Sequence, residues 1–398
     1  HGLFLRVTND SAELAAAYEQ SGQFDRAAAA WDRALQNQPN DKLLLLNRGI
    51  ARWRAGDQTG AEADFEAFLA GRETDATALE QRAKAYLDLG LMEAGHADYD
   101  RAVAARPNWL SLRSRCMSAK MYWDRPHEAA EHLKYLQEND PKEHHHYFWL
   151  LPVLLEVGDV AGYERVRNLM LRRWSQETNA MLAERTALVC LLLPGSEKDL
   201  EIAVRLAEAA VQSSDYTYLQ WHFTTAVGLA RYRQGVWAEI HGDLDQAQQY
   251  FKQARANLDS VLENLSNRDV DKRALAGFVL AATAFHLKDE DAAALLEAAE
   301  TEYLALPKFD SGMADVYICR VLRAEANEKI LGTGYQRLDQ AERLITASEF
   351  ESALEQIEAT IIASPESEVV VRRATQLVHQ LILKRAEVLS PTSESEPV

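Results

Sequence analysis

The fold is decided by the stretch Gly22-Gln-Phe-Asp-Arg-Ala27-Ala-Ala-Ala-Trp31-Asp-Arg-Ala34-Leu-Gln-Asn-Gln-Pro39. Its glycine, small residue, aromatic residue and proline return downstream at multiples of 34 residues. The matching positions are Gly22, Gly56, Gly90 and Gly158; Ala27, Ala61 and Ala129; Trp31, Phe65 and Tyr99; and Pro39, Pro107 and Pro141. A fixed period of this length indicates an array of structural repeats.

Each of these four repeated residues has a physical role in a pair of antiparallel helices. Gly22 suits a tight turn because glycine tolerates positive φ, and Ala27 is small enough for the two helices to approach closely. Trp31 fills the space towards the neighbouring repeat. Pro39 ends the second helix, because proline lacks an amide hydrogen and disfavours helix in the residue before it. The period therefore predicts one helical hairpin per repeat.

Composition agrees with a helical array. The 398 residues include only 10 prolines and 18 glycines, and no alternating β-branched run with hairpin turns is present. Stacked repeats grow in one dimension, so a chain of this length needs no single large core. We predict an all-α fold.

The whole pattern resembles the tetratricopeptide repeat (TPR) family. The resemblance implies a right-handed superhelix, an α-solenoid of about nine helical hairpins with a C-terminal capping helix. It also implies a concave groove, lined by the first helix of each hairpin, that binds a partner protein or peptide.

The regularity of the repeat divides the chain. We predict a linker, a strand-like arm or the remnant of a preceding domain at 1–8, followed by five regular repeats at 9–177. Degenerate hairpins follow at 178–332. A final repeat with the capping helix is predicted at 333–390, and a disordered tail at 391–398.

The middle of the chain resembles the TPR tails of large serine/threonine protein kinases of planctomycete-type bacteria. The resemblance covers about 160–330 and rests on segments such as 162–170, 183–194 and 228–235. It implies a regulatory module attached to a signalling enzyme. The chain itself has no Gly-rich phosphate loop, His-Arg-Asp or Asp-Phe-Gly, so phosphoryl transfer within these residues is not expected.

Charge argues against a nucleic-acid partner. Lys and Arg number 43 against 61 Asp and Glu, a formal net charge of −18. Phosphate backbones are repelled by such a surface. The short basic clusters at Arg172-Arg173-Trp174 and Arg231-Tyr232-Arg233 are interpreted as solvated helix faces.

Cysteines and apolar runs suggest the compartment. Cys116, Cys190 and Cys319 are widely spaced in apolar stretches, which favours reduced core thiols over disulfides or a metal site. The longest apolar runs are too short for a bilayer, so no membrane insertion is expected. The sequence starts at His1 without a signal peptide, as a piece of a larger multidomain protein would. We predict a cytoplasmic location.

No enzyme, cofactor or metal site is predicted. Three adjacent histidines, His144-His145-His146, point about 100° apart on a helix and do not converge on one ion. Acidic residues including Asp98, Asp100, Glu128 and Glu131 are interpreted as solvated. No dinucleotide fingerprint, Cys-x-x-Cys or Gly-x-Ser-x-Gly motif is present.

Helical phase selects candidate partner-binding residues on the first helices. They are Leu46, Ile50, Trp53, Lys84, Leu87, Met121, Tyr122, His145 and Phe148. Exposed aromatics such as Trp53 and Tyr122 are effective anchors for a partner, and an inter-repeat core contact is the equal alternative for both. The Lys/Asn clamp of chaperone-tail-binding TPR domains is matched only at Asn47.

These patterns lead to two hypotheses. The first is a non-catalytic scaffold that binds a protein or peptide partner in its concave groove. The alternative is a regulatory or targeting tail of a larger signalling enzyme, such as a serine/threonine kinase, whose catalytic domain is not in this chain.

Overall fold

The computed structural model describes residues 2–213, 219–306, 313–332, 334–363 and 368–389. These residues form twenty α-helices and no β-strand, which confirms the predicted all-α fold. Residues 2–8 are helical, which corrects the strand-like arm that was one alternative. The tail predicted at 391–398 lies outside the described residues.

The chain divides into two compact units, His1–His146 and Tyr147–Val398, here called unit 1 and unit 2. This division follows packing and falls inside a helix. The predicted limits at 177 and 332 follow repeat regularity instead, and they stay predictions.

Unit 1 is a stack of four antiparallel hairpins, each made of a first and a second helix. The helices are α1 (Gly2–Gln20), α2 (Phe24–Asn37), α3 (Lys42–Ala55), α4 (Gln58–Leu69), α5 (Ala76–Asp88), α6 (Met92–Ala105), α7 (Leu110–Tyr122) and α8 (Pro126–Asn139). The next helix, α9 (His144–Glu156), begins at the end of unit 1 and continues into unit 2.

The repeating marks take the roles predicted for them. Gly22 and Gly56 turn the chain between the two helices with φ of 71° and 93°, where a Cβ would be strained. Ala27 and Ala61 are fully buried, and the aromatic residues Trp31 and Phe65 are buried on the same second helices, α2 and α4. In the fourth hairpin Asp124 takes the turn position with φ of 54°, a conformation that side-chain-bearing residues adopt only at a cost.

Unit 2 continues the helical hairpins with one exception. Its helices are α10 (Val160–Trp174), α11 (Ala180–Cys190), α12 (Glu197–Val211), α13 (Gln220–Ile240), α14 (Leu244–Asn264), α15 (Val270–Leu287), α16 (Ala292–Leu304), α17 (Met313–Leu331), α18 (Gly334–Thr346), α19 (Phe350–Ala363) and α20 (Glu368–Leu389). Hairpins form at α11–α12, α13–α14, α15–α16 and α18–α19. Helices α9 and α10 are joined by a turn at Gly158 with φ of 77°, and the rings of Tyr147 and Trp174 meet between them at 5.0 Å, so they form a hairpin too. The described residues thus contain nine hairpins, as predicted, and α17 stands alone between the eighth and the ninth.

Helix α17 lies against the first helices of the preceding hairpins. It packs along α15, and Arg320 bonds Glu156 of α9 at 3.0 Å. Glu325 bonds Arg233 of α13, and Asp315 lines a small cavity together with Glu184 of α11. Helix α17 therefore covers the first-helix side of unit 2.

The last helix packs as a cap against both α18 and α19. Its predicted apolar residues, Val370, Ala374, Leu377 and Leu381, are all buried. Arg373, which the pattern placed on the polar outer face, is buried as well, and its guanidinium lies 3.0 Å from a carboxylate oxygen of Glu342. The outer-face prediction for Arg373 is wrong, because an acidic partner on α18 is available inside the fold.

Candidate partner-binding surface

The predicted groove residues differ in how much surface they offer. Ile50, Trp53 and Leu87 are partly buried and pack against the core that α3 to α7 share. Tyr122 is 39% exposed, and its ring meets Trp123 edge-on at 5.4 Å. The ammonium of Lys84 is also exposed, with 53% of the side chain accessible. These five residues form what we call the open face of unit 1.

Three predicted groove residues are buried, which corrects the helical phase assigned to them. Leu46, Met121 and Phe148 are 6%, 4% and 8% exposed. Phe148 belongs to unit 2, where the guanidinium of Arg185 lies 5.3 Å from its ring centre. Side chains this deeply buried offer little contact area to a partner.

His145 is exposed at the end of unit 1. Its Nδ1 lies 2.7 Å from a carboxylate oxygen of Glu143. This hydrogen bond with His145, joined by one from the His145 amide, holds the pKa of Glu143 below its usual value. The neighbouring His144 and His146 are buried.

A charged network borders the open face on α5 and α7. Glu80 is buried, and it accepts hydrogen bonds of 2.5 and 2.9 Å from Arg115 and lies 2.8 Å from the ammonium of Lys84. Burial alone would raise the pKa of Glu80, but the hydrogen bonds from Arg115 and Lys84 outweigh it and the pKa is lowered. The pairing orients Lys84 while leaving much of it in solvent.

Within the hairpins, arginine–aspartate bridges join the first helix to the second. Arg48 donates to Asp64 at 2.9 and 2.5 Å, and Arg82 donates to Asp98 at 2.6 and 2.9 Å. Both pairs are 16 residues apart and both carboxylates are buried. The interpretation of Asp98 as solvated is therefore wrong, because its carboxylate is buried and paired with Arg82. The repeated spacing was the available signal, since 48 and 82 differ by one repeat.

The basic cluster on α13 is also not a solvated face. Arg233 is 3% exposed and donates to the carbonyl oxygens of Leu191 and Leu192 at 2.7 and 2.6 Å. Arg231 is partly buried and bonds Glu208 at 2.5 Å. These guanidiniums are structural, because each is held by a partner on another part of unit 2.

Asp100, Cys116 and His132 meet between α6, α7 and α8, where no site was predicted. The Sγ of Cys116 lies 3.4 Å from Nε2 of His132 and 3.8 Å from Oδ1 of Asp100. Asp100 approaches the same imidazole nitrogen at 3.8 Å, so it does not orient the ring as in a catalytic triad. Burial raises the pKa of Cys116 to about 12, which keeps the thiol protonated and a poor nucleophile.

Two further cavities of unit 2 have volumes of about 400 and 270 Å³. Trp237 and Arg233 line the first, and Leu304 and Arg373 line the second. Each arginine is already paired with a buried or half-buried carboxylate, Glu325 and Glu342 respectively. These two arginine charges therefore stabilise the fold.

In the part of the chain that the structure describes, no helix combines the length and the apolar character that crossing a bilayer requires.

Comparison with known proteins identifies the repeat type. Residues 13–76 match the family model of the tetratricopeptide repeat. The matched residues span most of the first two hairpins, which are therefore similar to tetratricopeptide repeats. TPR structures generally mediate protein–protein interaction. The sequence has no significant match among curated proteins.

Several solved TPR structures are similar to the chain at low identity. A TPR protein from Parabacteroides merdae is 17% identical, with 70% of this chain and 99% of that one covered and a TM-score of 0.33. The C-terminal part of a TPR protein from Cytophaga hutchinsonii is 11% identical, with 65% and 97% covered and a TM-score of 0.40. YrrB, described as a TPR protein with an unusual peptide-binding site, is 14% identical, with 49% and 97% covered and a TM-score of 0.32.

Proposed function

We propose that the chain is a non-catalytic scaffold that binds a peptide segment of a partner protein on the open face of unit 1. The observation that carries this proposal is the contrast between the two units. Helix α17 covers the first-helix side of unit 2, whereas Trp53, Lys84 and Tyr122 of unit 1 keep accessible surface. A surface already covered by its own chain has less to offer a partner.

The chemistry of the open face suggests the kind of peptide. Trp53, Leu87 and Tyr122 present apolar area over a packed base, which suits apolar anchor side chains of a peptide. The net charge of −18 favours a segment with basic flanks, because complementary charge speeds encounter and disfavours acidic competitors.

The alternative function is a regulatory or targeting part of a larger signalling enzyme such as a serine/threonine kinase. It rests on the resemblance of residues 160–330 and stays a prediction, as does the cytoplasmic location. Both are compatible with peptide binding by unit 1.

Photo-crosslinking tests the proposal in two steps. A photoreactive phenylalanine analogue at position 122 of the full chain should crosslink a partner in the cell, and mass spectrometry of the product identifies the contacted segment. The same analogue at position 240, where Ile240 of unit 2 is 70% exposed, is the matched control and should not crosslink that segment.

Affinity for the identified segment is then measured with purified protein. Trp53→Ala combined with Tyr122→Ala should weaken binding at least about tenfold, which is the scale of one lost anchor. Ile240→Ala should leave it unchanged. Unchanged binding by a double variant that melts like the parent, or crosslinking of the same segment from position 240 alone, would contradict the proposal.

A further inference from the structure

Unit 1 repeats one ionic arrangement in consecutive hairpins. Arg48 of α3 lies between two carboxylates, 2.6 Å from Asp32 of the preceding second helix and within 2.9 Å of Asp64 in its own hairpin. One repeat later, Arg82 donates a hydrogen bond to Asp98, and the negative charge of Glu66 stabilises its charged form. In both hairpins the positively charged guanidinium is flanked by acids 16 residues before and after it.

The next repeat keeps the positions and changes the residues. Thirty-four residues beyond Glu66, Arg82 and Asp98 stand Asp100, Cys116 and His132. The guanidinium is replaced by a thiol and the second acid by an imidazole. Three metal-ligating groups from α6, α7 and α8 thus occupy the place where the two preceding repeats hold a cation.

We propose that Asp100, Cys116 and His132 bind one zinc ion. Their Oδ1, Sγ and Nε2 atoms are separated by 3.4, 3.8 and 3.8 Å. An ion equidistant from atoms with these separations lies at least about 2.1 Å from each, and it reaches that minimum only in the plane of the three atoms. Tetrahedral zinc, with bonds of about 2.0–2.3 Å to nitrogen, oxygen and sulfur, has ligand separations of about 3.3–3.7 Å. The Cys116–His132 separation already fits, and the accessible Asp100 carboxylate needs to move inward by up to about half an ångström.

The set of ligands favours zinc over harder cations. Thiolate is a soft donor and imidazole a borderline one, whereas Mg²⁺ and Ca²⁺ prefer hard oxygen ligands. Cys116 is fully buried and His132 is 9% exposed, whereas 53% of the Asp100 side chain is accessible. The exposed carboxylate leaves an entry path, and a water molecule completes the tetrahedron.

Lys120 already contacts one of the three proposed ligands, Asp100. The second hairpin shows that two positive charges can lie beside one such pair of acidic residues. The ammonium of Lys120 lies 3.1 Å from Asp100 and also bonds Glu128. One turn after Arg48, Arg52 stands at the equivalent position and bonds Asp64 at 3.0 Å and Asp32 at 3.5 Å. Two positive groups therefore share the same pair of acids in the second hairpin.

Binding requires two proton movements. The thiol of Cys116 loses its proton to solvent when the Zn–S bond forms. Arg113 faces Nδ1 of His132 at 3.3 Å, and because arginine only donates, Nδ1 accepts and Nε2 carries the proton in the neutral ring. Zinc at Nε2 moves that proton to Nδ1, so Arg113 has to turn away. In its present position, Arg113 therefore disfavours the binding of zinc to His132.

The test uses the full chain and Zn²⁺ alone, in competition with a chromophoric chelator at neutral pH under reducing conditions. One ion should bind per chain, and Co²⁺ should give the thiolate-to-cobalt charge-transfer band. Cys116→Ser and Asp100→Asn should each weaken zinc binding by about 100-fold. Substituting a group that only orients a ligand typically lowers metal affinity by less, within about 10- to 100-fold. Arg113→Ala should bind zinc more tightly than the parent.

Matched controls separate this site from other zinc-binding groups. Cys190→Ser removes another buried thiol, and His145→Gln removes an exposed imidazole from the histidine run. Both variants should bind zinc like the parent. Asp100→Asn changes a half-exposed side chain without changing its size, so this variant should fold. It therefore tests zinc binding at this site even if Cys116→Ser fails to fold.

Two results would overturn the proposal. One is a parent protein that takes up no zinc at micromolar free ion. The other is unchanged affinity in a folded Cys116→Ser or Asp100→Asn variant, which would place the ion elsewhere.

Discussion

The guanidinium of Arg233 in α13 donates hydrogen bonds of 2.5 and 2.7 Å to the carboxylate of Glu325 in α17. The hydroxyl of Tyr232 donates to the same carboxylate at 2.9 Å. Burial would raise the pKa of Glu325, but the charge and hydrogen bonds of Arg233 outweigh it and the pKa is lowered. This pair, in which Arg233 is buried and Glu325 is half-buried, fastens α17 to the first-helix side of unit 2.

Removing Glu325 should loosen α17. Glu325→Ala leaves the Arg233 charge buried without its counter-ion, which typically costs about 3–5 kcal/mol. Hydrogen exchange of the α17 and α13 amides measures the loss as faster exchange. Glu351→Ala is the matched control, because its pair with Arg385 is exposed at 3.4 Å and should be worth under about 1 kcal/mol. Equal protection in the Glu325 variant and the parent would contradict the role of the pair.

A buried carboxyl makes unit 2 less stable as pH rises. Glu184 is 5% exposed, and burial together with the charge of Asp315 raises its pKa to about 8 from 4.5. The folded state therefore binds more protons than the unfolded chain between these values, and stability falls through that window by up to about 1.4 kcal/mol per pH unit. Glu184→Gln should be more stable than the parent at pH 8, with a smaller difference at pH 5.

Chemical denaturation of both proteins across this pH range checks the Glu184 prediction. Glu197→Gln, on the exposed first turn of α12, is the control and should keep the pH dependence of the parent. A parent stability that does not depend on Glu184 over this range would count against the assignment.

A partly buried histidine at the same small cavity makes unit 2 less stable as pH falls. Burial, with the nearby charges of Lys272 and Arg185, lowers the pKa of His222 to about 3 from 6.5. The unfolded chain binds the extra proton first, so stability should fall as pH drops below 6.5, again by up to about 1.4 kcal/mol per unit. His222→Asn should flatten this acid limb in pH-dependent melting. His379→Asn, which changes an exposed histidine, should leave the limb in place.

A turn residue offers a gain in stability. Lys288 caps the end of α15 with φ of 60°, a left-handed conformation that strains residues with a Cβ. Lys288→Gly should stabilise the α15–α16 hairpin by about 0.5–1 kcal/mol, after the larger entropy of glycine in the unfolded chain is subtracted. Gly242 holds the same turn position in the preceding hairpin with φ of 83°. Gly242→Lys should therefore destabilise, and denaturation midpoints that shift the other way would refute the strain argument.

The repeat pattern predicted the elements of unit 1 because its causes are local. A glycine at positive φ, a small residue at a close helix contact and an aromatic filler act within one hairpin, so each can be read from spacing. Side-chain exposure was predicted less well. Leu46 and Met121 share helices with exposed residues, and a small error in helical phase moves a side chain from the groove to the core.

The sequence by itself determined the helical hairpin, its period and the all-α class, since these follow from preferences of residues within one repeat. Only the tertiary structure decided that Arg233 and Glu325, 92 residues apart, form an ion pair. It also decided that α17 covers unit 2 and that Asp100, Cys116 and His132 converge. Such contacts depend on which surfaces the stacked helices bring together, and no local preference along the chain specifies that choice.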